Sequence, residues 1–475
     1  MDAAALADRV HGAWDADVLP SLEAYIAIPA LSPAFDADWR TTGHLATATE
    51  HIRAWCAARS IRGLTVTVHE LDGRTPVIIC DVPPFGGAPD DDTVLLYGHL
   101  DKQPPMEGWI DGLGPWTPVR RGPRLYGRGG ADDGYSAYAA LTAIEGVQRA
   151  GGAHARCVVL IEASEESGSP DLPDYIERFV ATGVLPDPSL VVCLDSGAGS
   201  YDRLWLTTSL RGLVGLTITV EVLADGVHSG SAGGVVPSSF RILRTLLDRI
   251  EDAATGRVLL PELHAEVPDD RVAEIEVSAP QMGEEAGGVF PWVEGVRPQA
   301  GDDPVALLRA RTWEPSIAYV GMDGMPATAI AGNVLRPRTT LGLAVRLPPT
   351  VDAEVAAAAL ERVLTADPPF GARVTVARHG IGHGWNAAPF EPWLQAAAEE
   401  ASQSEFGRSW ATLGEGGSIP FMAMLGQRFP AAQFAVTGAL GPENGAHGPN
   451  EFLHVPCATS VSVCIGHLLD AHARR

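Results

Sequence analysis

Val94-Leu-Leu-Tyr-Gly-His-Leu-Asp101 is the stretch whose reading decides the fold. An apolar run rich in β-formers stops at Gly98 and delivers His99 and Asp101 two residues apart. In an extended chain, positions i and i+2 share a side, so the two side chains project together. A carboxylate behind an imidazole fixes its tautomer and raises its basicity, the usual backing of a metal-bound histidine. Alone, the H-x-D pair is a weak signal and reads rather as a histidine satisfied at a turn. Weight comes from three further strands, each followed by residues of metal-binding type.

The chain has 475 residues, 46% hydrophobic and 20% charged. That is too long for one core and ordinary for a soluble globular protein, so two domains are expected. Its 59 acidic and 34 basic residues leave a net charge of −25. Nucleic acid and anionic membrane surfaces need clustered positive charge, so neither is expected as a partner. The first residues, M-D-A-A-A-L-A-D-R-V, lack the basic-then-apolar order of a signal peptide. No apolar run approaches membrane-spanning length. Six scattered cysteines form no C-x-x-C pair and read as buried thiols of a reducing compartment, which makes the cytoplasm the expected location.

Helical periodicity runs over 2–27, with Pro20 expected to kink or split it. A helix is expected over 43–59, then strands at 64–70, 77–81 and 93–98, with a proline- and glycine-rich loop at 83–92. Residues 102–131 carry loop signals. Helix 134–150, strand 157–163, helix 171–182 and strand 189–194 follow, an alternation that implies an α/β domain with a largely parallel sheet. From about 207 the texture changes: strand 215–223, helix 237–250, a proline-, glycine- and acid-rich stretch 254–312, a strand or two within 329–347, helix 352–365 and strand 372–378. This suggests a small α+β domain. The α/β texture then returns with helices 389–406 and 419–426, strand 432–437 and helix 456–472. One domain is thus interrupted by another: 1–209 and 383–475 around 210–382.

In open α/β sheets, ligands bind beyond the carboxyl ends of the strands. His99 and Asp101 follow the first strand there, Ser164-Glu165-Glu166-Ser167 the second, Asp195-Ser196-Gly197 the third, and a glycine-rich loop with His447 the fourth. Gly127-Arg-Gly-Gly-Ala-Asp132-Asp133-Gly leads into a helix between the first two. Imidazoles and carboxylates in this number suit zinc or manganese. Two ions fit better than one, since one carboxylate can bridge. A pair roughly 3.5–4 Å apart activates water and polarises a scissile carbonyl. In the doublet Glu165-Glu166 one side chain can bind metal while its neighbour takes the proton from water. No dinucleotide fingerprint, nucleophile elbow or Walker loop is present.

These residues carry a resemblance. The motifs Y-G-H-L-D (97–101), L-Y-G-R-G-G-A-D-D (125–133), E-A-S-E-E-S-G-S (162–169), L-D-S-G (194–197), L-R-G (210–212), H-S-G-S-A-G-G (228–234), E-G-G-S-I-P (415–420) and G-A-H-G-P-N-E (445–451) are similar to those of the M20 metallopeptidases, within them the cytosolic carnosinase-like dipeptidases. The resemblance implies a di-metal catalytic domain interrupted by a smaller lid and dimerisation domain. It implies that His99 and Asp195 hold one ion, Glu166 and His447 the other, and that Asp132 bridges. Glu165 would be the general base and Asp101 the partner of His99, and the Asp132–Asp133 peptide would be cis. His228 would reach from a partner subunit to steady the oxyanion. Arg346 would grip a substrate's C-terminal carboxylate, with Asn333, His383, Gly417 and Ser418 lining the pocket. His379 and His454 read as structural. Relatives commonly place Lys-Gly after the double aspartate, where this chain has Gly134-Tyr135, so the local packing there is expected to differ.

The expectation is a homodimeric hydrolase with two divalent ions per subunit, zinc first and manganese second, acting on a small peptide with a free carboxylate. An N-acyl-amino-acid deacylase on the same scaffold is the nearest alternative. A metal-free binding protein that kept the fold is the alternative from another class; it predicts a missing ligand or base, and none is missing.

Overall fold

The computed structural model describes residues 1–288, 290 and 292–475. Val289 and Pro291, within the stretch read as proline-, glycine- and acid-rich, lie outside the described residues. The chain divides into two compact units, Met1–Thr208 with Ala387–Leu413 and Met424–Arg475, and Ser209–Asn386 with Gly414–Ala423. Residues 209, 383–386 and 414–423 therefore group with the second unit, whereas the division read from the sequence places them with the first.

In the first unit the strands Arg156–Glu162, Thr93–His99, Leu190–Cys193 and Gln433–Val436 lie side by side and all parallel. Thr93–His99 is buried at every position, as expected of a central strand covered on both faces. The expectation of a largely parallel sheet is corrected at its margins. Val77–Val82 and Thr65–His69 add antiparallel on one side, and Trp205–Leu210 pairs antiparallel with Gln433–Val436 on the other. Helices Ala3–Ala13, Ser136–Arg149, Pro392–Phe406 and Val455–Ala473 pack on one another around the main apolar core.

Three local readings change. The N-terminal helix is not broken at Pro20. A π-helical turn, Trp14–Val18, joins Ala3–Ala13 to Leu19–Ile26, and Pro20 sits in the first turn of the latter, where its missing N–H is tolerated. The loop-like segment 102–131 contains a hairpin, Val119–Arg121 with Arg124–Tyr126, to which Phe452–His454 adds. The 254–312 stretch contains two helices, Asp269–Met282 and Pro304–Trp313.

In the second unit, Ser316–Asp323, Arg338–Leu347, Gly212–Glu221 and Arg373–Gly382 form an antiparallel sheet in that order. Gly212–Glu221 and Arg338–Leu347 alternate between buried and half-buried positions, so one face carries the core. Helices Ser239–Leu247 and Ala353–Thr365 supply its other wall. Ser316–Asp323, which the sequence reading did not identify as a strand, is an edge: Tyr319, Val320 and Met322 are 48%, 67% and 43% exposed.

Candidate metal centre

Parallel pairing brings the carboxyl ends of four strands to one edge of the first unit, and the nominated side chains collect there. His99 ends its strand opposite Glu162. Glu165 and Glu166 open a short 3-10 turn, Glu165–Ser167, just after the neighbouring strand. Asp195 follows Leu190–Cys193, and His447 lies in the loop after Gln433–Val436. Asp132 comes from the turn Gly130–Gly134, and its peptide bond to Asp133 is cis. The Asp133 carboxylate accepts the backbone N–H of His99 at 3.2 Å, which fixes the turn against the strand end. Gly98 makes this approach possible, since a Cβ there would lie 2.0 Å from Ser136 Oγ and 2.7 Å from Asp133 Oδ2.

Asp132 faces both imidazoles. Its Oδ1 is 3.5 Å from His99 Nε2 and its Oδ2 is 3.0 Å from His447 Nε2. His99 Nε2 is also 3.8 Å from Asp195 Oδ2, and His447 Nε2 is 3.4 Å from Glu166 Oε2. Two sets of ligand atoms lie within 4.8 Å of one another: His99, Asp132 and Glu166, and His99, Glu165 and Asp195. Glu165, nominated as base, thus stands among the ligand candidates. Asp101 contacts both the His99 ring and the glutamate turn. Its backbone carbonyl lies 3.1 Å from His99 Nδ1, with Oδ1 at 3.5 Å, and its two carboxylate oxygens accept the backbone N–H groups of Glu165 (3.1 Å) and Glu166 (3.0 Å). It therefore positions the ring and the glutamate doublet together.

The donor set fits divalent cations. His99 Nε2 and Glu166 Oε1 are fully buried and make no hydrogen bond among the described residues, an arrangement that is costly unless another group completes it. The charges agree. Burial and the Asp195 charge push the Glu165 carboxyl well above its usual range, burial and Asp132 do the same to Glu166, and burial lifts Asp195 to about 7. Burial opposes charge on His99, yet Asp101, Asp132 and Asp195 hold its pKa well above the ordinary imidazole value. Burial would also raise Asp132, but His447 and His99 keep it below the usual carboxylate range. This many buried acids against two imidazoles is a site short of positive charge.

A stability signature follows for chelated protein. Asp195 and Glu162, each lifted to about 7 by burial, keep a proton near pH 6 that the unfolded chain has already released. The folded state then binds more protons, so stability falls as pH rises through these values. His99 and His447 are also raised, and their contribution, full below the unfolded imidazole value, is likewise lost as pH rises. Asp132, lowered, is ionised in both states over this window and adds no slope. Calorimetry of chelated protein is expected to show a melting temperature that drops from about pH 5 to pH 8, with divalent metal restoring it at the upper end; a flat profile would contradict the assignment.

Sequence reasoning missed a buried pair that ties two of these loops together. Arg128 and Glu451 have side chains 1% and 0% exposed and meet at 2.6 Å. Arg128 also donates to Gly448 O (2.6 Å) and Pro104 O (3.1 Å), while Glu451 accepts Gly129 N (2.9 Å) and Ala131 N (3.3 Å). The pair thereby joins the approach to Asp132 to the His447 loop, where His447 itself takes a left-handed backbone (φ 61°). Their signal was a charge set among glycines inside motifs that also hold ligands. At the departure Gly134-Tyr135, a Cβ on Gly134 would lie 2.1 Å from the Tyr25 ring, and the Tyr135 hydroxyl donates to Leu194 O at 2.6 Å.

Against known families, residues 95–470 match the model described as peptidase family M20/M25/M40. The chain belongs to this family. It is similar to the cysteinylglycine-S-conjugate dipeptidase of Corynebacterium striatum, 30% identical over 420 residues, which cover 86% of this chain and 88% of that one. It is also similar to the Beta-Ala-His dipeptidase of Mus musculus, 24% identical over 389 residues, covering 79% and 75%. The fold matches that of the dipeptidase Dug1p from Saccharomyces cerevisiae with a TM-score of 0.79 at 21% identity over the whole of both chains. Within the M20 peptidases the chain stands with the carnosinase-like group, and membership implies use of divalent metal.

The other nominated residues lie in the second unit. His228 is exposed and paired opposite Val334. Its Nδ1 accepts Gly230 N at 3.1 Å, which leaves the neutral ring's proton on Nε2, facing no partner among the described residues. The Asn333 carbonyl accepts Ser229 N at 2.9 Å. Arg346 donates to Ser418 Oγ at 2.9 Å, and the Gly417 carbonyl accepts Arg211 N at 3.1 Å. His383 and Gly417 are exposed. His379 bonds Thr217 in this unit, whereas His454 lies in the first unit and stacks on Tyr201 with ring centroids 4.2 Å apart.

Proposed function

We propose that this chain is a dinuclear metal-dependent dipeptidase that cleaves the amide bond of dipeptides or short peptides with a free C-terminal carboxylate. The carrying observation is the placement of Asp132 between two imidazoles, with three further carboxylates around them, in a member of a peptidase family. His99, Asp132 and Asp195 would hold one ion, and Glu166, His447 and Asp132 the other, with zinc first and manganese second. When bound, the ions supply an activated water and polarise the scissile carbonyl.

The protein's own groups do the rest. A Glu165 carboxylate oxygen takes the proton from the attacking water and delivers it to the leaving amine. Asp101 keeps that turn and the His99 ring in register. His228 of the partner subunit, with its Nε2 proton free, donates to the developing oxyanion. Arg346 binds the substrate carboxylate, and Asn333, His383, Gly417 and Ser418 line the same pocket. A homodimer is supported by the exposed edge strand Ser316–Asp323, which pairs on one side only among the described residues and whose apolar side chains call for a cover. The lid and dimerisation roles fall to residues 210–382. No helix among the described residues is long and apolar enough to cross a membrane, and six buried thiols suit a reducing compartment such as the cytoplasm.

Dipeptidases among the relatives that match most of the chain favour this reading over the N-acyl-amino-acid deacylase. Both substrate classes carry a carboxylate, so the test is direct. Metal-loaded enzyme is expected to hydrolyse a panel of free dipeptides at least tenfold faster (kcat/KM) than matched N-acetyl-amino acids, about 1.4 kcal/mol of discrimination. The reverse order would move the protein to the deacylases with the same metal site.

A further inference from the structure

Arg211 is buried to 9% exposure in the second unit, and no carboxylate pairs with it among the described residues. Its charge is instead spread over neutral oxygens. Nε donates to Gly416 O at 3.0 Å, and Nη1 donates to Glu314 O at 3.3 Å and Ser316 Oγ at 3.2 Å. Its backbone engages the same loop: the N–H donates to Gly417 O at 3.1 Å, and the carbonyl accepts Ser418 Oγ at 2.6 Å.

That last bond sets the direction of the chain beyond it. A hydroxyl has one proton, and Ser418 gives it to Arg211 O, so at the Arg346 Nη1 contact of 2.9 Å Ser418 is an acceptor. Arg211 also holds Ser316, the residue directly across the sheet from Arg346. The serine on each flank of Arg346, one on the adjacent strand and one on the loop, is therefore fixed by one arginine. The two guanidiniums repel each other: burial first, then Arg346 and Arg311, bring Arg211 down to about 10. A buried cation kept beside another without an acid is unfavourable until an anion arrives.

We infer that Arg211 is a positioning residue for recognition of the substrate's C-terminal carboxylate, acting through Ser418 and Ser316 on Arg346. This rests on the reading of Arg346 as the carboxylate-binding group. A lysine at 211 keeps the charge but lacks the planar fork that reaches these oxygens at once.

The test compares free dipeptides with their C-terminal amides, using metal-loaded wild type, Arg211→Lys, Ser418→Ala, Arg346→Ala and the Arg211→Lys/Arg346→Ala double variant. Arg211→Lys is expected to raise KM for free dipeptides by about tenfold or more, the range of a lost hydrogen bond to a charged group, with kcat and metal content within about twofold. Ser418→Ala, which spares the buried cation, is expected to raise KM in the same sense. Arg211→Lys should not alter KM for the amides and should add nothing once Arg346 is alanine, as for residues acting through one contact. Equal loss on acids and amides, or multiplying effects in the double variant, would overturn the proposal. Failure of the dipeptidase reading looks different, because wild type would then not cleave free dipeptides at all; an Arg346→Ala enzyme that kept its preference for acids over amides would overturn the Arg346 reading and this inference with it.

Discussion

Glu165→Gln is expected to lower kcat for dipeptide hydrolysis by about 10²–10⁴-fold, the usual share of a general base, while leaving bound metal and melting temperature close to wild type. Glutamine has the same shape and can still accept the Asp101-anchored backbone position, since that contact uses the Glu165 N–H and not its side chain. What it loses is the ability to take a proton. Burial and the Asp195 charge raise the Glu165 carboxyl well above the usual range, which favours proton uptake. Because Glu165 also lies within ligand distance of His99 and Asp195, the metal content of the variant must be measured alongside kcat. Loss of an ion would make Glu165 a ligand; retention of ions with turnover above about a tenth of wild type would remove it from the base role. The neighbouring Glu166→Gln is the control, with the opposite balance of metal loss to chemistry.

The second large effect concerns stability. Arg128→Met is expected to destabilise the protein by about 3–5 kcal/mol, the cost of stranding one partner of a buried ion pair. Glu451 would keep its two backbone N–H donors but lose the guanidinium in a fully buried position. Burial already lifts Glu451 to about 7, so part of the penalty can be relieved by protonation, and the variant should lose less stability at pH 6 than at pH 8. Adding Glu451→Gln should recover part of the loss, because the two residues act as one unit. Arg128 also holds the carbonyl beside His447, so weaker metal affinity should accompany the lower urea midpoint. A change within about 0.5 kcal/mol, the range of an ordinary surface substitution, would show that the pair does not bear on the fold.

The two predictions separate what the chain announces locally from what it does not. His99, Asp101, Glu165, Glu166 and Asp195 stand directly after apolar runs, so a strand pattern and the rule that ligands gather at carboxyl ends suffice to bring them together. Asp132 and His447 come from glycine-rich turns, and their convergence was legible only because the same edge collects them. Arg128 and Glu451 are 323 residues apart, and nothing in the local pattern pairs them. The same limit applies to Arg211 and Ser418, whose partnership crosses 207 residues. The edge strand Ser316–Asp323 escaped notice because its exposed apolar residues give no alternation with a buried face. Pro20 misled for a different reason: a π turn just before it moves the missing donor into a first turn, which composition cannot show.

The central claim is a two-ion site that cleaves free dipeptides, and counting ions while following turnover tests it most directly. Chelated protein titrated with zinc, and separately with manganese, is expected to bind two ions per chain by native mass spectrometry. Hydrolysis of a free dipeptide should appear only as these sites fill. Saturation at a single ion, or hydrolysis persisting in the fully chelated protein, would contradict the account.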